Sequence, residues 1–185
     1  MKQHVTIEDV TLAYYECRRT KRRTASQIEY ELDYEMNNLQ LWRELNDGTY
    51  QIGQSIGFCI TYPKLREVFA AKFRDRIVHH LVMHKFLPLF DAQMIDSSYN
   101  CRKGKGAIYG VRDMQQKMRR ITHNGKRTAW VMKCDIKGFF MSIDTGIAFR
   151  IVSDVIHEEY DGEDMEWWLS LFRMMIYNRP YVDCE

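Results

Sequence analysis

No apolar stretch in this sequence approaches the roughly 20 residues needed to span a bilayer, which argues against an integral membrane protein. The opening MKQHVTIEDV has no apolar signal region, so a cytoplasmic protein is expected rather than an exported one. No CxxC pair occurs. The five cysteines, at 17, 59, 101, 134 and 184, are scattered and odd in number, which fits reduced thiols better than a disulfide framework or a zinc site. Internal repeats and low-complexity tracts are missing too. What is present excludes a disordered tail: 45% apolar and 13% aromatic content over 185 residues is enough for a core in one ordinary domain or two small ones.

The net charge of +2 decides little, but its distribution is uneven. Residues 17–23, CRRTKRR, carry five basic side chains and no acid, and 102–127 carry nine Lys and Arg against the single Asp113. Segment 154–166 is the reverse, with seven Asp and Glu and no Lys or Arg. Two basic zones suit a partner with a phosphate backbone. The plain alternative is a pair of solvated helix faces.

Periodicity predicts helices over 5–20 and 26–45, the second with Ile28, Leu32, Met36, Leu39 and Trp42 on one stripe and Asn46-Asp47-Gly48 as its stop. SIGFCITYP and LREVFA read as two strands around a tight turn at Pro63-Lys64. Phe73 to Leu87 reads as a helix with Ile77, Leu81, His84 and Leu87 near one face, closed by Pro88. A polar loop, 96–106, precedes a strongly basic helix over 107–122. Thr128–Asp135 reads as a short buried strand, because Ala129, Trp130, Val131 and Met132 run continuously apolar. Asp144 or Thr145 caps a helix reaching about His157, and a last helix covers 164–177. The fold class expected is α+β, mainly helical with short antiparallel strands.

The segment WVMKCDIKGFFMSID, 130–144, carries the chemistry. Its apolar strand would deliver Asp135 at a C-terminal end, and five residues on Phe140 stands where the chain turns into a helix. Mg²⁺ takes hard oxygen ligands, usually one or two carboxylates plus substrate phosphates, and a strand end holds such a ligand rigidly. A capping or turn role for Asp135 and a core role for Phe140 are the plain alternatives. His79, His80 and His84 have no further Cys or His nearby in sequence, which speaks against a metal site. Asp75 and Arg76 at a helix start read as a structural pair rather than a binding pair.

CDIKGFFMSID resembles the first catalytic motif of reverse transcriptases, especially those of retrons, group II introns and diversity-generating retroelements. PKLREVFAAKFRDRIVHHLV is similar to the fingers segment of that family, and SSYNCRKGKGA to its Ser-Tyr/Phe-x-x-Arg-x-Gly-Lys/Arg-x block. The three blocks stand in the family's order across roughly residues 50–150. The resemblance implies fingers over 1–125 and the start of a palm over 126–185 of a right-hand polymerase. It implies that Asp135 is the first metal-binding carboxylate, that the carbonyl of Ile136 shares the metal, and that Phe140 is the aromatic gate beneath the nucleotide sugar. Lys64 and Arg66 match the pair that grips the incoming triphosphate, with Lys64 in a hairpin shorter than the intron pattern. Arg102, Lys103 and Lys105 would follow a template or primer backbone, with Gly104 and Gly106 allowing close approach.

The same resemblance implies two Mg²⁺ ions, an RNA template, a DNA or RNA primer, deoxynucleoside triphosphates, and partner proteins of a retroelement or defence system. The family's YxDD motif is missing here: Tyr181-Val182-Asp183-Cys184 has Cys in place of the second Asp, and Asp183 reads as an ordinary turn residue. The expectation is therefore an inactive N-terminal part of a longer RNA-directed DNA polymerase. The alternatives are a non-catalytic nucleic-acid-binding module, and an RNA-templated RNA polymerase, which Phe140 argues against.

Overall fold

The computed structural model describes residues 3–20, 23–182 and 184; Lys21 and Arg22 of the first basic stretch, and Asp183, lie outside the described residues. Among these residues the chain is α+β, with helices α1 (Ile7–Thr20), α2 (Ala25–Glu31), α3 (Tyr34–Asp47), α4 (Phe73–Gln93), α5 (Ala107–Ile121), α6 (Phe139–Ser142), α7 (Thr145–Glu159) and α8 (Met165–Ile176). Strands β1 (Ile56–Ile60) and β2 (Arg66–Ala70) form an antiparallel pair, Ile56 opposite Ala70 and Ile60 opposite Arg66. No described helix is long and apolar enough to cross a membrane. The chain forms two compact units, Met1–Leu87 with Asp144–Glu185, and Pro88–Ile143.

The first unit owes its core to α4. Phe73, in its first turn, meets the rings of Tyr14 and Tyr30 edge-on at 6.1 and 5.5 Å. Three turns later Phe86 meets Tyr160, Trp168 and Phe172 at 5.2, 5.3 and 5.3 Å. Ile77, Val78, Leu81 and Val82 fill the space between, with Val10 and Ala13 of α1 and Leu41 and Leu45 of α3 also buried. Rings prefer such edge-on packing because the positive edge of one faces the negative face of another.

Three expected elements differ in the structure. The helix expected over 26–45 breaks at Leu32-Asp33, where Asp33 leaves helical dihedrals at φ −144°, ψ 56°. The break rotates α3 relative to α2, so Ile28, Leu32 and Met36 of the expected stripe are exposed, while Tyr30, Asn38, Leu41 and Leu45 turn inward. Helix α4 does not stop at Pro88 but runs through it to Gln93. Proline removes one donor from a helix interior and normally breaks it. Here Arg102 binds the last turn beyond it, donating to the Asp91 carbonyl at 3.2 Å, and a cation at a helix C-terminus is favourable. The third difference is the segment Thr128–Asp135, which is irregular and exposed rather than a buried strand. A strand is a property of a pair, and apolarity cannot create one without a partner edge.

A buried carboxylate fixes the base of the hairpin. Asp75 is 2% exposed and accepts hydrogen bonds from the Tyr50 hydroxyl at 2.8 Å and the Gly53 amide at 3.1 Å. Arg74 adds its charge at 3.7 Å and bonds Glu44 in turn. The expected Asp75–Arg76 pairing gives way to these partners. Burial, and then the Asp75 charge, pushes the Tyr50 phenol far up, so it stays a donor at every ordinary pH.

Two stability outcomes follow from this packing. Asp75→Ala strands the Tyr50 hydroxyl and Gly53 amide and is expected to cost about 1–3 kcal/mol. Phe86→Ala is expected to cost about 3–5 kcal/mol, whereas Phe140→Ala, at a ring 84% exposed, is expected to stay within about 0.5 kcal/mol. Urea unfolding of the three variants checks the ranking; an Asp75→Ala protein as stable as the parent contradicts it.

Candidate functional site

The residues singled out by sequence fall into three groups. Lys64 and Arg66 share the hairpin of the first unit, Lys64 in the connection between strands and Arg66 opening β2 opposite Ile60, both exposed. Neither makes an ion pair among the described residues, so both charges are open to a ligand.

Asp135, Ile136 and Phe140 occupy one exposed segment of the second unit. Gly138 sits in the left-handed region at φ 64°, which glycine adopts without steric cost, and this turn starts α6 with Phe139 and Phe140 in edge-on contact at 5.3 Å. Ile136 is 65% exposed and Trp130 is 96% exposed. Asp135 makes no hydrogen bond and no ion pair among the described residues, so the alternative role as a cap is not what its surroundings provide. The helix cap belongs to Asp144, whose carboxylate accepts from the Ile147 amide at 2.9 Å.

The implied Mg²⁺ pair can be tested against this donor set. Among the described residues no group of three or more His, Cys, Asp or Glu side chains is placed to hold a metal ion. A two-cation centre needs carboxylates shared between ions about 3.5–4 Å apart. Asp135 and the Ile136 carbonyl are two of the oxygens the resemblance implies for such a centre, which is expected to be completed only by residues outside this chain; the described residues do not complete it by themselves.

The basic loop is built from within. Arg102 donates from Nε to Asp91 Oδ1 at 2.5 Å, from Nη2 to Asp91 Oδ2 at 3.2 Å, and from Nη1 to the carbonyls of Ile95 and Ser98 at 2.9 and 3.4 Å. Lys105 pairs with Asp96 at 3.4 Å. Lys117 on α5 pairs with Asp113 at 2.6 Å and donates to the Ser97 hydroxyl at 2.5 Å, while the Tyr99 hydroxyl also donates to Asp113. The Tyr99 ring lies where a β-carbon on Gly110 would approach within 3.0 Å, which explains a glycine inside α5. Arg102 holds the Asp91 carboxyl below its ordinary value, and Lys117, then Tyr99, do the same for Asp113.

Of the nine Lys and Arg in 102–127, three are therefore paired with acids, leaving six. Lys103, Arg112, Arg119, Arg120, Lys126 and Arg127 are exposed and without ion pairs among the described residues. Sequence reasoning placed Arg102 and Lys105 with Lys103 at a phosphate backbone; the structure brings them together in one loop but engages two of the three internally. The partner it missed, Asp91, is an acid at the end of a helix, a position where a carboxylate is unfavourable unless a cation covers it. No known protein family matches the chain, and no curated protein does so either.

The clasp has a pH signature. Because the Asp91 carboxyl is lowered, its contribution is fully present above the ordinary aspartate range near pH ~4 and is lost as pH falls through the lowered value. The protection of the Ser98 amide, which bonds the Ile95 carbonyl at 3.0 Å, measured against its intrinsic exchange rate, is expected to fall in Arg102→Gln at neutral pH and in the parent as pH drops through the lowered Asp91 value. Unchanged protection in Arg102→Gln contradicts the clasp.

Proposed function

We propose that this chain is the fingers and first palm segment of a reverse transcriptase of the bacterial retroelement type, an RNA-directed DNA polymerase that extends a primer with deoxynucleoside triphosphates along an RNA template. The observation that carries the reading is the order of three blocks, the fingers segment around Arg66, the basic loop around Lys103 and CDIKGFFMSID around Asp135. Three features support it. The hairpin carries two open cations, as a triphosphate grip requires. The second unit carries six unpaired cations for a phosphate backbone. Phe140 is 84% exposed, so its ring is accessible to a nucleotide sugar.

In this reading Arg66 is the stronger phosphate ligand of the hairpin pair, because its planar fork meets two oxygens at once. Phe140 acts by exclusion: a ring under the sugar leaves no room for a 2′-hydroxyl and so selects deoxynucleotides. The solitary position of Asp135 favours a second reading, a nucleic-acid-binding module without catalysis. Primer extension separates the two.

The chain by itself is expected to make no DNA on a poly(rA) template with dTTP and Mg²⁺. Joined to a palm that supplies further carboxylates it is expected to do so, with Asp135→Ala lowering synthesis by more than about 100-fold, a loss of over 2.7 kcal/mol in transition-state stabilisation. Synthesis by Asp135→Ala within tenfold of the parent contradicts the assignment, and no synthesis by the joined protein favours the binding module.

Single-stranded RNA is expected to bind without sequence preference. Counterion release gives a slope of log affinity against log salt of about −0.7 per phosphate neutralised, so six contacts set a limit near −4. Arg112→Ala with Arg119→Ala is expected to flatten the slope by about 1 to 1.5 units. Fluorescence anisotropy between 50 and 200 mM salt reads it; a salt-independent affinity contradicts the interface.

A further inference from the structure

A cleft of about 560 Å³ opens in the first unit between β2 and the start of α4. Its lining joins apolar residues of β2, among them Val68 and Ala70, to polar ones, Arg76, His79 and His80 of α4 and Asn178. None of Lys64, Arg66 or the loop cations lines it, so it is distinct from the residues placed at the hairpin tip and on the basic loop. Among the described residues no Asp or Glu lines it either.

Arg76 gives the cleft its charge. Its Nε donates to the Ala71 carbonyl at 2.7 Å, which fixes the plane of the guanidinium and leaves both Nη groups without a partner among the described residues. A fork held in this way is preorganised for two oxygens of a phosphate. Burial lowers the pKa of His79 and also that of His80, so at neutral pH both imidazoles are uncharged, each with one donor and one acceptor. The lining thus combines one fixed cation, two neutral rings, an amide and apolar side chains of β2. Such a set complements a ligand with an anionic end and a flat, hydrogen-bonding body, and the volume lies within the range of small-molecule sites.

We propose that this cleft holds one nucleotide of a nucleic-acid strand, its phosphate on Arg76 and its base over Val68 and Ala70 beside His79. The proposal rests on the reading that the chain grips nucleic acid, and adds a site that the motifs do not name. It makes Arg76 a ligand-binding residue, whereas its neighbour Asp75 is structural.

Nuclear magnetic resonance titration of the intact chain tests it, following the Arg76 Nε–Hε pair and the ring resonances of His79 and His80. AMP is expected to move these signals, with adenosine and inorganic phosphate each binding at least about tenfold more weakly. The hexanucleotide r(A)6 is expected to move the same signals. Arg76→Lys keeps the charge but loses the fork and is expected to weaken AMP about tenfold; Asn178→Ala, elsewhere in the lining, provides a second variant that leaves the Ala71 bond intact. A thermal melt checks that each variant is folded.

AMP shifts confined to the α5 arginines overturn the proposal. So does unchanged AMP affinity in a folded Arg76→Lys protein, or AMP binding in the cleft with no response there to r(A)6, which assigns the cleft to free nucleotides. If r(A)6 binds by anisotropy while the cleft signals stay still, the cleft assignment fails and the nucleic-acid reading stands. If r(A)6 does not bind at all, both fail.

Discussion

A single buried carboxylate holds the working end of the first unit in place. Asp75 receives the Tyr50 hydroxyl and the Gly53 amide, which lie just before β1, from a helix that begins just after β2. The hairpin is thereby tied at both ends to the same point on α4. Burying a charge is costly unless it is hydrogen-bonded and countered; here two donors and the nearby Arg74 guanidinium meet that requirement. Gly53 faces Asp75 so closely that an added β-carbon would stand 3.3 Å from Oδ2, so the close approach depends on a small residue. Arg76, one residue beyond, is then directed at the Ala71 carbonyl and the cleft. Lys64 and Arg66 depend on the same anchor for their position.

The second unit is organised on another principle. None of residues 88–143 is buried. Its order comes from charge and hydrogen bonds: the Arg102 clasp on Asp91, and the Tyr99, Lys117 and Asp113 cluster that seats the loop on α5. Exposed pairs of this kind contribute modestly and are screened by salt. The apolar stripe of α5, with Ile108 71% and Val111 69% exposed, and the run at Trp130 are surfaces without cover among the described residues. A strand at 128–135 needs a neighbouring edge, and the proposed palm is the kind of structure that supplies one.

Local signals were readable in the sequence. The hairpin around Pro63-Lys64, the Gly48 stop of α3, the Asp144 cap of α7 and the limits of α5 each depend on residues a few positions apart, and the structure has them. What the sequence hid is tertiary. The break at Asp33 shows itself in which side chains find the core: Tyr30 and Leu41 do, Leu32 does not. The last turn of α4, beyond Pro88, is bound by Arg102, eleven residues beyond the Asp91 it contacts. Whether a lysine or arginine is open to a ligand depends on its neighbours in space, which is why Lys103 and Arg102, adjacent in sequence, have opposite surroundings. The cleft residues Arg76, His79 and His80 carried no motif that separates them from an ordinary helix start.

Phe140 distinguishes the proposed polymerase, one that makes DNA on RNA, most sharply from the alternative readings. The direct measurement is single-nucleotide incorporation opposite rA by the chain joined to a complete palm, comparing dTTP with UTP in the parent and in Phe140→Ala. Steric rejection of a small group is worth roughly 10- to 200-fold. The account predicts a preference for dTTP of that order in the parent and its collapse towards unity in Phe140→Ala, with dTTP incorporation retained. Equal use of both nucleotides by the parent, or a preference that survives Phe140→Ala unchanged, contradicts it.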